Sequence, residues 1–352
     1  MRFFDREGVK YCEMLRPNDF HVHLRELSTL EDLVPYSARQ FGHVMAMPNL
    51  SKPLTDVWSA INYANVIQIE GLLFDFQCHV ALYLTDNTTE DEIRLAHNEG
   101  VVLAVKLYPS GATTNSSSGV TDINKVLNIF ELMEELDMPL SVHGEDINPD
   151  IDFFDREREF VDTLEYIVIN FPKLRIVFEH VSTREGVQFV KHMPKNVVAT
   201  ITPQHLLCNR NDLLVRGICP SKFCFPVVNR REDQEAVISA ATSGNPKFFL
   251  GTDSAPHVDS NKFGDGGLGG CFTSPYAIPL YAEAFERVDA LDRLENFASV
   301  FGSKFYKLPK NTTTIILRRE ANIILEKIYA SKNGDQYTPF MAGGMLQWQI
   351  VD

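Results

Sequence analysis

The sequence contains no Lys/Arg-rich run. Its 352 residues carry 33 lysines and arginines against 47 aspartates and glutamates, a formal net charge of −14. Phosphate neutralisation needs clustered cations, so this balance argues against a nucleic-acid partner. An acidic surface also repels a small anion, so any anion site has to bring its own local cations. Long apolar runs are missing too: none approaches the ~20 residues that span a bilayer. The opening stretch, Met1-Arg2-Phe3-Phe4-Asp5-Arg6, lacks the apolar core of a secretory signal. There is no Cys-x-x-Cys pair. The six cysteines, Cys12, Cys78, Cys208, Cys219, Cys224 and Cys271, are scattered and read as free thiols of a reducing compartment. A glycine-rich phosphate loop of the GxxxxGK[ST] kind is absent, which weakens any nucleotide-binding reading. These absences predict a soluble, cytoplasmic protein with no nucleic-acid or membrane partner.

What is there is a series of short β-prone runs. Eight are visible: the segment around His21 and His23, then 43–49, 76–84, 101–108, 139–145, 174–180, 197–203 and 247–253. Helix-compatible segments separate most of them, clearest over 88–99, 122–136, 156–170 and 230–243. Near-continuous apolar strands alternating with helices imply a parallel sheet covered on both faces. Eight such units predict an α/β fold, a distorted (β/α)8 barrel of the TIM type, over residues 1–311. Strand-like runs at 313–317 and 322–326 predict a short β-containing extension over 312–352 that packs on the barrel. The alternative is a doubly wound open sheet, which would gather its ligands at one switch point. Two loops, the small and polar 109–119 and the glycine-rich 259–270, are predicted over the barrel mouth, although plain surface loops share that composition.

In a barrel of this kind the reactive groups stand at the C-terminal ends of strands. His21, His23, Asn49, Lys106, His143, His180 and Asp253 all fall there. On a strand, His21 and His23 share a face, and Arg25 joins them if the strand geometry persists that far. Two imidazoles on one strand can hold one metal ion, or can form a buried polar pair satisfied by backbone. His143 and His180 each read alone as structural histidines. With His21 and His23 they give four imidazoles, enough for two metals if an anionic group bridges them. Asp253 can supply a carboxylate. Lys106 ends an apolar strand, where poor solvation favours the neutral amine. A neutral amine can take up CO₂ and become a carbamate with two anionic oxygens. A lysine that reaches solvent, or one that binds an anionic substrate, fits the same pattern, and patterning alone does not decide.

Seven stretches carry a family resemblance: Asp19-Phe20-His21-Val22-His23-Leu24-Arg25, Met47-Pro48-Asn49-Leu50, Lys106 to Ser116, His143-Gly144-Glu145, Glu179-His180, Ile201-Thr202-Pro203-Gln204-His205-Leu206, and Leu250 to His257. Through them the chain resembles the amidohydrolase superfamily and, within it, dihydroorotases of the shorter, single-function bacterial type. The His-x-His pair marks only the superfamily, whereas the runs starting at Lys106 and Gly251 are far more specific. The resemblance implies two Zn²⁺ per subunit, one on His21, His23 and Asp253 and the other on His143 and His180. A carboxylated Lys106 and a hydroxide would bridge them. It implies Arg25, Asn49 and His257 at the substrate carboxylate and His143 among the substrate contacts. Phe225 and Gly269 would lie along the pyrimidine ring, and Thr113 and Thr114 on a loop closing over it. The family often has an aliphatic residue where Phe225 stands and alanine where Gly269 stands, so those two contacts depart from its pattern.

The activity implied is the zinc-dependent, reversible cyclisation of N-carbamoyl-L-aspartate to dihydroorotate in pyrimidine biosynthesis, by a homodimer, with Asp253 as proton shuttle. The chemistry is coherent: zinc brings the pKa of bound water to about 7, and paired metals can polarise a ring carbonyl. The planar fork of Arg25 suits a carboxylate and answers the difficulty of bringing an anion to an acidic protein. A cyclic amidase for hydantoins, dihydropyrimidines or allantoin is the competing reading within the superfamily, but it has no use for a carboxylate clamp. A catalytically dead scaffold is the competing class, and lost ligand residues, its usual sign, are not seen.

Overall fold

A computed structural model describes residues 1–351 apart from 216 and 333. Eight strands form one parallel sheet in chain order: β3 (Asn18–Val22), β4 (His43–Ala46), β5 (Gln77–Tyr83), β6 (Val102–Leu107), β7 (Leu140–Val142), β8 (Ile176–Phe178), β9 (Val197–Ile201) and β10 (Phe248–Leu250). They are preceded by the antiparallel hairpin β1 (Arg2–Arg6) and β2 (Val9–Leu15). All eight predicted runs became strands of the sheet, which curls into a barrel with helices around it. Nearly every strand residue is buried, as a sheet covered on one side by helices and filled on the other requires. Inside, Phe20, Met45, Val177, Val198 and Phe249 fill the lower layers. Tyr306 closes them from below, its ring 4.7 Å from that of Phe20.

The seam between β10 and β3 is the distorted part. It is not a regular ladder but a set of separate bonds: Asp253 N–H to His21 O (2.8 Å) and His23 N–H to Ser254 O (2.9 Å). The buried carboxylate of Asp19 stitches it further, accepting from Thr252 N–H (2.9 Å), Thr252 O–H (2.6 Å) and His21 N–H (3.2 Å). The seam therefore fixes His21 and Asp253 to each other.

The four predicted helices are present as Glu90–Asn98, Leu127–Glu135 after a 3₁₀ turn, Arg156–Asn170 and Arg231–Ala241. Thr89 caps the first by accepting from Glu92 N–H, and three acidic residues occupy its first turn, where the helix dipole favours them. Helices Leu30–Ala38, Val57–Glu70, Arg184–His192 and Ala277–Glu286 were not singled out from sequence. Ala277–Glu286 is buried on almost every side and so lacks the polar stripe that reveals an amphipathic helix.

At the C-terminus the two predicted strands are one, β11 (Thr314–Ile323), whose pairing register breaks between Arg319 and Asn322. Residues 324–326 are outside it. The short pair β12 (Ile328–Tyr329) and β13 (Gln336–Tyr337) follows, then β14 (Met345–Val351). A four-stranded sheet runs β1-β2-β11-β14, so residues near both termini build one layer beside the barrel.

Candidate active site

His21 lies on β3, and its two ring nitrogens face two carboxylates. Nδ1–H donates to Glu179 Oε2 at 2.9 Å, while Nε2 lies 3.3 Å from Asp253 Oδ1. His23 Nε2 approaches the same Asp253 oxygen at 3.0 Å. The ligand atoms of His21, His23 and Asp253 thus lie within 4.8 Å of one another, close enough for a single ion. Burial pulls the His21 imidazole toward its neutral form, but Glu179 and Asp253 more than offset it, so its pKa is raised. Burial likewise pushes the Asp253 carboxyl upward, and bonds with His21 and His23 overcome that, holding it well below the usual range.

His143 follows β7 and His180 lies just beyond β8. Their Nδ1 and Nε2 atoms converge at 3.2 Å. His143 Nε2–H donates to Glu145 Oε2 at 2.6 Å, which leaves Nδ1 as the lone-pair nitrogen pointing at His180. A buried carboxylate therefore backs one imidazole in each set, Glu179 behind His21 and Glu145 behind His143, and fixes its tautomer. Burial and the neighbouring His143 push the His180 imidazole well below its ordinary pKa, so it is a neutral donor.

Lys106 sits on β6 with no solvent exposure, and its Nζ has no hydrogen-bond partner among the described residues. Burial brings its pKa down to about 8 although Glu179 and Asp253 pull the other way. An unpartnered buried amine is costly unless something pairs with it. These observations fit a dinuclear site: three converging ligand atoms, two facing imidazoles, and a buried amine of lowered basicity beside both.

Three of the residues reach the site through left-handed backbone. Arg25 (φ 65), His180 (φ 45) and Asp253 (φ 45) all have positive φ, a conformation non-glycine residues avoid at a cost of roughly 1–3 kcal/mol. For Arg25 this corrects the expectation of strand alternation. β3 ends at Val22, and a turn, not the pleat, brings the guanidinium into the cleft. Arg25 Nε–H donates to Pro256 O at 2.7 Å and its Nη2 lies 3.0 Å from His257 Nε2. Burial lowers its pKa to about 10, still charged at neutral pH. No carboxylate among the described residues stands at ion-pair distance from it.

Together these side chains enclose one small cleft. Of the predicted residues, His21, His23, Arg25, Asn49, His143 and His180 line it, as do Asp253, Thr113, Thr114, Phe225 and Gly269. Lys106 and His257 adjoin it through Tyr108 and Arg25. The 109–119 loop is docked over the cleft by two reciprocal bonds, Asn49 Nδ2–H to Thr114 O and Asn115 Nδ2–H to Asn49 O, both 3.0 Å. One donor of Asn49 is thereby spent on the loop, and its Oδ1 is buried without a partner among the described residues. Sequence reasoning gave no role to Tyr108, whose ring lines the cleft with its hydroxyl unpaired, nor to Glu145, Glu179 and Asp19. The signal for the two glutamates was present, since each lies within two residues of a histidine in a His-x-Glu or Glu-His pair.

Comparison with known proteins identifies relatives of the whole chain. The sequence profile described as the Amidohydrolase family matches residues 19–345. A protein of Acaryochloris marina named dihydroorotase is 47% identical over 341 residues, covering 96% of this chain and 98% of its own. The crystal structure of a dihydroorotase from Campylobacter jejuni superposes with a TM-score of 0.90 at 32% identity, covering 99% of both chains. That of a Saccharomyces cerevisiae dihydroorotase in complex with 5-fluoroorotic acid gives 0.88 at 31% identity, covering 97% of this chain and 98% of the other.

Proposed function

The chain belongs to the amidohydrolase family and, within it, to the dihydroorotases, and on that premise we propose that it interconverts N-carbamoyl-L-aspartate and (S)-dihydroorotate, the ring closure of pyrimidine biosynthesis. One observation carries the substrate choice. A charged Arg25, unpaired with any carboxylate among the described residues, opens into the same cleft as the His21–His23–Asp253 cluster. A cyclic amide that also bears a carboxylate, with the two groups a ring apart, matches that pair of features. The yeast relative's complex with 5-fluoroorotic acid, a pyrimidine carboxylate, points the same way.

Two Zn²⁺ per subunit would be held by His21, His23 and Asp253 and by His143 and His180, with carboxylated Lys106 joining the sets. Such ions supply Lewis-acid polarisation of a carbonyl and an acidified water. The protein's own groups do the rest. Arg25, with His257 beside it, binds the substrate carboxylate by charge-assisted hydrogen bonds and fixes the ring's orientation. Asn49 adds to that contact. In hydrolysis Asp253 accepts the proton released as water adds to the ring carbonyl, then returns it to the ring nitrogen as the C–N bond breaks. In cyclisation it takes the proton from the carbamoyl nitrogen. Thr113 and Thr114 cover the bound ring and exclude water, while Phe225, Gly269 and His143 border it. The same reading makes the enzyme a cytoplasmic homodimer, and the six free cysteines fit a reducing compartment.

The test is turnover by the zinc-loaded protein of dihydroorotate against hydantoin and dihydrouracil. Dihydroorotate is expected to be preferred by at least ~100-fold in kcat/KM, because an uncharged ring leaves the buried guanidinium unpaired. A preference for the uncharged rings would overturn the proposal in favour of a general cyclic amidase.

A further inference from the structure

The side of the cleft away from the histidines is made of two chain segments, residues 223–226 and 268–271. Phe225 projects from the first. Its ring is gripped edge-on by Phe223, with centroids 5.1 Å apart, and by Phe153, 6.0 Å away. Gly269 lies on the second, directly against the free side of that ring. A Cβ built on Gly269 would overlap Cδ2 and Cε2 of Phe225 and lie 3.3 Å from Cγ. The backbone at Gly269 is not in the left-handed region, so chain conformation does not demand glycine there. The ring does.

The two segments are tightly tied. Gly270 N–H donates to Phe223 O at 2.8 Å. Lys262 is buried, and its ammonium donates to three carbonyls, Phe223 O (2.8 Å), Leu268 O (2.8 Å) and Gly270 O (2.7 Å). All three of its hydrogens are used, two of them on the residues flanking Gly269 and one on the Phe225 segment. The tie continues to the substrate anchor. His257 Nε2 stands 3.0 Å from Gly269 O and 3.0 Å from Arg25 Nη2. With Phe223 and Phe153 behind it, the ring cannot retreat from an added methyl. It has to tilt into the cleft, or residue 269 has to move and take His257 with it.

We propose that Phe225 and Gly269 are one interlocking determinant of how the substrate ring fits, exchangeable only together, with Lys262 as the positioning residue that keeps their segments in register. The proposal rests on the reading of this cleft as the dihydroorotate site. The absence of a side chain at 269 is what leaves room for the aromatic ring at 225.

A double-mutant cycle tests it. Gly269→Ala, Phe225→Leu and the double variant are prepared as zinc-loaded enzyme, and Tm, KM and kcat for dihydroorotate are measured. Overpacking in a close-packed wall is expected to raise KM for Gly269→Ala about tenfold or more and to lower Tm. In the Phe225→Leu background the same alanine is expected to change KM by less than ~3-fold and leave Tm unmoved, the mark of direct coupling. Additive losses, or a silent Gly269→Ala, would overturn the interlock. If Gly269→Ala does not fold, folding of the double variant is itself the predicted rescue, and its failure counts against the proposal. Lys262→Met is expected to raise KM more than it lowers kcat at unchanged zinc content, and an unchanged KM removes Lys262 from the device. Coupling in Tm needs no turnover. Coupled melting without dihydroorotate activity would sink the functional reading alone, and full activity with additive effects would sink the interlock alone.

Discussion

The two ends of the barrel bury polar groups to different effect. At the N-terminal ends of the strands, Asn18 donates to Ser303 Oγ at 2.6 Å and its carbonyl oxygen accepts from His43 N–H (2.9 Å) and Asn311 (2.8 Å). That amide is satisfied, as buried polar groups in a structural role are. At the C-terminal ends, Lys106 Nζ, His180 Nδ1, Glu179 Oε1, Asn49 Oδ1 and the Tyr108 hydroxyl are all buried without a partner among the described residues. Arg25, His180 and Asp253 also take left-handed conformations at the cleft, although such residues occur at the other end too, as at Asp137 and Lys307. The contrast teaches that burial alone does not mark function. Nor does one leftover bonding group, since the Tyr306 hydroxyl below the barrel is also buried without a partner among the described residues; the cleft is set apart by several such groups converging on one place.

The sharpest way to break this contrast is Lys106→Ala. It removes the unpartnered amine, and turnover is expected to fall by about 10³-fold or more with a loss of bound zinc. Short carboxylic acids should restore part of the activity by occupying the vacated space between the ligand sets. Metal analysis with steady-state assays checks both, and a fully active variant would show that the buried amine is structural. Asp253→Ala comes next, with kcat expected to drop by about 10²–10⁴ as the proton carrier is lost. A near wild-type kcat would reassign that role. Arg25→Lys keeps the charge but loses the planar fork. KM is expected to rise about tenfold with a smaller change in kcat, and an unchanged KM would remove the carboxylate clamp. The smallest effect on activity is expected from the other end. Asn18→Ala should cost about 1–3 kcal/mol of stability, seen as a lower Tm, with kcat and KM of the folded enzyme unchanged. A selective loss of activity there would mean that the two ends are not separable.

Much of this site was legible before any geometry. His21 and His23 one residue apart, and His143, His180 and Asp253 each just after an apolar run, mark strand ends whatever the details of packing. Eight β-prone runs alternating with helices point to a barrel because local periodicity reports local burial. Arg25 was placed in the cleft by the wrong route. The pleat was expected to carry it, and a left-handed turn after Val22 does so instead. Sequence patterning does not reveal such a turn at a non-glycine residue, because only tertiary contacts make it affordable. The N-terminal hairpin was missed because the strand it pairs with, β11, lies some 300 residues away along the chain.

The sequence by itself determined the fold class, the candidate ligand residue types and their order, since these depend on periodicity and chemical identity that each segment carries alone. Only the tertiary structure decided which atoms meet. It set Glu179 behind His21 and Glu145 behind His143, left Lys106 buried and unpaired, and pressed the Phe225 ring against Gly269. Those facts depend on distances between segments remote in sequence. Such distances are fixed by close packing around the barrel and are written in no single stretch of the chain.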